Sequence, residues 1–244
     1  ATFLRQQGYK IVHINSTWGA TMLNPHADVE LSCDEGIFQE EFYRVLAEGT
    51  LLKNWETSVD QDLAACHLQN AKKLGELAKK PGPKFVFHHF VPPHHPYLFD
   101  ENGKVLRHAT VSNQFEFQKL LWGKRDKYVQ QLAFVSKLML GVADEILGQS
   151  KQSPIVIIHS DHGPQLIGEK GRFEKNWVIN RMRNMVAVHA PESPASLIPD
   201  DLTMVNLFPL ILNHYFDAKI PLKANDLWFS GIQSPYKFQP VNSR

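Results

Sequence analysis

The chain has 244 residues, 43% hydrophobic and 21% charged, with a formal net charge of +1, a globular composition long enough for one large α/β domain or two small ones. The near-neutral charge and scattered basic residues exclude a nucleic-acid footprint and a basic membrane patch, and no run of 18 apolar residues or signal-peptide pattern is read. Two cysteines, Cys33 and Cys66, are too few for a disulfide framework; they fit a reducing compartment, an oxidising one or a single bridge.

Residues Ala1 to Gln7 read as the end of a helix, stopped by Gly8 and followed by a strand at 9–14. An opening inside a helix–strand unit is expected of the carboxyl-terminal portion of a longer domain; an ordinary N-terminal helix is the alternative. His13 on that strand is expected to be a half-buried imidazole with its hydrogen bonds satisfied, and His26 and Asp28 to be loop residues. Helical spacing of Phe38, Phe42, Val45 and Leu46 predicts a helix over 35–47, and that of Leu63, Cys66, Leu74 and Leu77 a helix over 58–79, ended by Pro81-Gly82-Pro83. Neither cysteine has a base beside it, so both are expected to be inert thiols.

A second strand is predicted at 84–89, a turn at 100–104, and a long helix over 124–147 with Tyr128, Leu132, Val135, Leu138, Met139, Val142 and Ile146 in one stripe. Pro154 precedes the β-branched run Ile155-Val156-Ile157-Ile158, which reads as a buried strand of a parallel sheet. A further strand is predicted at 185–189. The helix over 204–216 is apolar on most faces and expected to be well buried. The stretch 221–244 reads as an aromatic, irregular tail packed over the domain. Strands alternating with such helices predict an α/β fold with a mainly parallel sheet flanked by helices.

Chemistry concentrates at two strand ends. Asp161-His162 leaves the strand at 155–159, where open α/β folds place their sites. A hard carboxylate oxygen beside an imidazole nitrogen suits a divalent cation such as Zn or Mn, and Gly163 lets the backbone turn beside it. The bland reading of an isolated Asp-His, a capping Asp with an incidental His, is outweighed by a second histidine-rich stretch, His88 to Tyr97, after the strand at 84–89. Pro92, Pro93 and Pro96 make that stretch a rigid loop, suited to imidazoles that steady an anion or move a proton. His89 and His94 are the candidates there; His88 is expected to pack, and His95 to be exposed. The two clusters are expected to converge on one cleft. Arg172, Lys175, Arg181 and Arg183 read as a solvated face, one member of which is a candidate for an anionic substrate oxygen. Gly-x-Ser-x-Gly, a Walker loop and Gly-x-Gly-x-x-Gly are absent from the sequence.

Ser160-Asp161-His162-Gly163 after an apolar strand, with Pro93-His94-His95-Pro96-Tyr97 and Phe99-Asp100-Glu101-Asn102-Gly103 upstream, resembles the sulfatase-like branch of the alkaline phosphatase superfamily. Arg181 to Pro191, Val205-Asn206-Leu207-Phe208 and Asn213-His214-Tyr215-Phe216 are similar to late segments of membrane-anchored sulfatase-like proteins related to lipoteichoic acid synthases and phosphoethanolamine transferases. The resemblance implies an alkaline-phosphatase-like fold over 1–244 that lacks the N-terminal part of the catalytic domain. It implies Asp161 and His162 as ligands of a divalent ion (Mn, Zn, Mg or Ca), with His94 and His89 facing a phosphate or sulfate ester. The family's metal-binding acid on an early strand and its Ser, Thr or Cys nucleophile have no counterpart before Gly8-Tyr9, so the isolated chain is expected to be inactive. The parent protein is expected at the extracytoplasmic face of the membrane, held there only by helices further upstream, with no nucleic-acid partner. The alternatives are a degenerate, non-catalytic binding or assembly domain, and an unrelated metallohydrolase complete in itself. Oligomeric state is not readable.

Overall fold

The computed structural model describes residues 1–33, 56–106, 125–164, 177–231 and 233–241. The helix expected over 35–47 lies outside them, as do Arg172 and Lys175. The chain divides into two compact units, Ala1–Gln152 and Ser153–Arg244.

In the first unit, helix α1 (Thr2–Gln6) ends at Gly8, whose φ of 83° is the left-handed conformation that glycine adopts without strain. Strand β1 (Lys10–Ile14) follows and pairs in parallel with both β2 (Val29–Leu31) and β3 (Lys84–His88), giving the order β2-β1-β3. Its central position explains its near-continuous apolar sequence, with Ile11, Val12 and Ile14 all buried. The two longer strands fall where the sequence predicts them. Strand β2 is too short to show a period and is fixed by Asp28, which accepts hydrogen bonds from the Ile11 amide (2.7 Å) and Arg5 Nε (2.8 Å). The Ile11 bond, more than the Arg5 guanidinium, holds the Asp28 carboxyl below the usual range.

Helices α2 (Glu56–Ala78) and α3 (Arg125–Gln149) pack together, with Lys79 bridging to Glu145 at 3.6 Å. Leu77 of α2 closes on Val12 and Ile14 of the sheet, while Leu63 and Ala64 close on Leu98 and Phe99 beyond it. The turn at 100–104 forms as predicted: Asp100 Oδ1 accepts from the Asn102 and Lys104 amides, and Gly103 has a φ of 83°.

The inert-thiol expectation is corrected. Cys33 and Cys66 form a disulfide, with Cα atoms 5.2 Å apart across a sequence separation of 33. It joins the segment just after β2 to the middle of α2, a proximity that parallel sheet formation creates and local sequence cannot signal.

In the second unit, strand β4 (Val156–His159) pairs with β5 (Val186–His189), and the pairing is antiparallel. The sequence predicted a buried strand of a parallel sheet at this position. The return direction is set locally: after helix α4 (Trp177–Met182) the chain comes back through Met185, whose carbonyl accepts from the Ser160 amide at 3.0 Å. Helix α5 (Met204–Phe216) has the predicted bounds but is not buried all round. Asn206, Leu207 and Ile211 are buried, whereas Val205 is 56% exposed. Two asparagines on α5 tie the chain that follows the helix back onto it. Asn206 pairs both ways with the Lys223 backbone (2.9 and 2.8 Å), and Asn213 does the same with Ile220 (2.8 and 2.7 Å).

The tail is irregular only over 221–227; beyond it β6 (Trp228–Gly231) and β7 (Ser234–Pro240) form an antiparallel hairpin. Phe229 packs edge-on against Trp177, while Tyr236 and Phe238 are exposed. Among the described residues, no helix is long and apolar enough to cross a membrane.

Candidate active site

Strand β4 delivers Ser160-Asp161-His162-Gly163 into a tight turn. Asp161 Oδ1 accepts from the His162 amide at 3.0 Å, and its other oxygen, Oδ2, lies 3.5 Å from His162 Nε2. His162 Nδ1 is 2.9 Å from the Gly163 carbonyl. A carbonyl only accepts, so Nδ1 carries the proton and Nε2 is left as the basic nitrogen, the tautomer a metal ligand needs. The Asp161 side chain is 79% exposed and that of His162 38%, so an ion can reach both. Two ligands each ~2.0–2.1 Å from a tetrahedral ion stand roughly 3.3 Å apart. The observed 3.5 Å fits that requirement, so the pair suits a divalent metal. Among the described residues, no group of three His, Cys, Asp or Glu is arranged to hold an ion.

Gly163 is required at this turn by close approach. Its amide donates to the Arg181 carbonyl at 2.8 Å, and a Cβ there would run into the main-chain carbonyls of Asn180 and Arg183. The main chain of Arg181 and Arg183 thus packs on the turn.

The first unit carries the histidine loop. His89 Nδ1 lies 2.7 Å from Thr21 Oγ1, which is itself 2.7 Å from Ser16 Oγ. His94 is exposed; its Nδ1 donates to the His95 carbonyl at 2.7 Å, and its ring meets Trp18 edge-on at 5.8 Å. By the same carbonyl argument, Nε2 is the basic nitrogen of His94. His95 is half-buried against the His94 ring, where the sequence predicted exposure. Trp18, His67, Pro92, His94 and Pro96 line a cleft of about 470 Å³, its solvent mouth included.

Beneath this loop lie imidazoles that serve as packing. His88 donates from Nδ1 to the Ile14 carbonyl at 3.1 Å, and burial pushes its pKa down to about 4. That is the packing role its strand position predicts. His13 is fully buried, not half-buried, and among the described residues its Nδ1 has no hydrogen-bond partner, contrary to the satisfied imidazole expected; it stacks on Phe87 with Glu30 3.4 Å away. His67 on α2 is 2% exposed, and burial, with the nearby His88 and His89, lowers its pKa to about 3.

Sequence reasoning passed over three residues that shape these sites. His67 sits within a helical stripe and reads as one more core position. Gln131 is fully buried on α3. Its Oε1 accepts from the Leu98 and Phe99 amides (2.7 and 3.2 Å) and its Nε2 donates to the His94 carbonyl (3.1 Å), tying the histidine loop to the helix. Asn184 donates to the carbonyls of Ser160 and Asp161. The one available signal was a polar residue at the spacing of a predicted apolar stripe, which His67 and Gln131 share and Asn184 lacks.

With the Asp-His turn at the end of β4 and the parallel α/β arrangement of the first unit in place, a family model described as Sulfatase matches residues 1–215. The chain belongs to the sulfatase family. The parallel sheet flanked by helices is the α/β architecture expected of an alkaline-phosphatase-like fold. Sulfatase-family membership places the chain among hydrolase-type proteins of sulfate and phosphate esters, and members generally use divalent metal ions. No curated protein and no solved structure matches the chain.

Proposed function

We propose that this chain supplies part of the active site of a metal-dependent hydrolase or transferase of phosphate or sulfate esters. The geometry of the Asp161–His162 pair carries the reading: two accessible donors 3.5 Å apart, with the imidazole tautomer fixed by Gly163. A divalent ion bound there would polarise a non-bridging ester oxygen and lower the pKa of an attacking group. Asp161 would hold the ion through a carboxylate oxygen and offset part of its charge, and His162 would bind it through Nε2. In the first unit, His94 offers Nε2 as a basic nitrogen suited to steadying an anion or moving a proton, and His89, hydrogen-bonded to Thr21, belongs to the same histidine-rich stretch. Two donors do not complete a metal shell. Among the described residues no third ligand stands with the pair, and this chain alone is expected to have no turnover.

The narrower reading within the family is the lipoteichoic acid synthase and phosphoethanolamine transferase-like branch, acting at the extracytoplasmic face of the membrane. The Cys33–Cys66 disulfide supports such an oxidising location. The test is titration with Mn²⁺ and Zn²⁺ alongside assays with bis-p-nitrophenyl phosphate and p-nitrophenyl sulfate. Metal binding lost in Asp161→Ala, without turnover, is expected. Saturable hydrolysis abolished by Asp161→Ala would overturn the inactivity. Metal binding that is absent, or unchanged in Asp161→Ala, would favour a non-catalytic domain.

A further inference from the structure

Four hydrogen bonds tie the turn that carries the metal pair to the residues that enter β5. The Ser160 amide donates to the Met185 carbonyl at 3.0 Å, and the Met185 amide donates to Ser160 Oγ at 2.9 Å. The other two come from one atom: Asn184 Nδ2 donates to the Ser160 carbonyl at 2.8 Å and to the Asp161 carbonyl at 2.7 Å. Both acceptors are carbonyls, so the amide must face them with its nitrogen, and both of its hydrogens are used.

Consecutive carbonyls held by one planar amide cannot rotate independently. The Ser160–Asp161 and Asp161–His162 peptide planes are therefore fixed relative to each other. Those two planes flank the Asp161 Cα, and with it the direction of the carboxylate. On the far side, Gly163 is fixed by its bond to Arg181. The short run between these anchors is Asp161-His162.

We propose that Asn184 is the positioning residue for the Asp161–His162 pair, orienting its two donors toward a divalent cation. The inference rests on the metal reading above, and it assigns Asn184 no contact with the ion itself. Its side chain acts through the backbone that carries the ligands, as residues behind metal ligands generally do.

Three measurements on the whole chain test this. First, in the wild-type protein without metal, the Asn184 side-chain amide protons are expected to exchange slowly with solvent. Exchange at the rate of a solvated asparagine would overturn the inference. Second, Asn184→Leu keeps the approximate volume and removes both donors. It is expected to speed exchange of the His162 and Gly163 amides while the Ile157 and Val188 amides of the β4–β5 ladder stay protected; unchanged turn exchange would overturn the inference. Third, Mn²⁺ affinity measured by calorimetry is expected to fall about tenfold in Asn184→Leu, and undiminished affinity with a loosened turn would also overturn it. If the wild type and Asp161→Ala bind Mn²⁺ equally, the metal reading itself fails. The two exchange measurements then decide alone whether Asn184 sets the pair.

Discussion

Single side chains on this molecule act largely by satisfying main-chain groups. Gln131 is the clearest case, because its fully buried amide accepts from two successive amides, Leu98 and Phe99, and donates to His94. Asn206 and Asn213 repeat the device at the tail. Replacing Gln131 by Leu preserves bulk but leaves two buried N–H groups without their acceptor. A destabilisation of about 1–3 kcal/mol is expected in urea denaturation; a loss smaller than 0.5 kcal/mol would contradict the role given to Gln131. At Gly163 the constraint is steric, since a methyl group would meet the Asn180 and Arg183 carbonyls. Gly163→Ala is expected to cost roughly 1–3 kcal/mol by overpacking and to weaken Mn²⁺ binding, both readable from melts with and without the ion.

At the scale of elements, the Cys33–Cys66 disulfide fixes the end of β2 to α2, the helix that covers the parallel sheet. A cross-link over 33 residues removes chain entropy from the unfolded state worth about 3–4 kcal/mol in the loop-closure model. Reduction, or the pair Cys33→Ser and Cys66→Ser, is therefore expected to lower the melting temperature, with no thiol titrating in the native, unreduced protein. An unchanged melting temperature would show that the bridge constrains a region already ordered in the unfolded chain. The β4–β5 pair shows a different dependence: its direction follows from the bonds between Ser160 and Met185, beyond the end of either strand.

For the molecule as a whole, pH acts through imidazoles kept neutral in the fold. His67 and His88 have folded-state pKa values near 3 and 4, against 6.5 for an unperturbed histidine, chiefly through burial. Between those limits the unfolded chain binds more protons than the folded one, so stability is complete above about pH 6.5 and is lost as pH falls toward 4. Asp28 adds a separate loss only below about pH 3.8, because its carboxyl is held low by the Ile11 amide. Urea midpoints are expected to drop from pH 7 to pH 5, and His67→Leu to make that drop shallower. An identical slope in the variant would assign the acid sensitivity elsewhere.

Local regularities in the sequence determined much of this molecule. The apolar runs of β1 and β3, the stop at Gly8, the Asp100–Gly103 turn and the bounds of α5 depend on residues within a few positions of one another, and they appear as read. The Asp161-His162-Gly163 turn was legible for the same reason: its residues are contiguous, and the His162 tautomer is set by the next residue. Tertiary structure decided what needed distant partners. The cysteine bridge, the short β2 strand, the antiparallel return of β5 and the hairpin in the tail are set by pairings that no local period encodes. Asn184 reaches Ser160 across 24 positions and Gln131 reaches Leu98 across 33. A polar side chain looks the same in sequence whether it meets water or a buried carbonyl, and only the folded chain supplies the carbonyl.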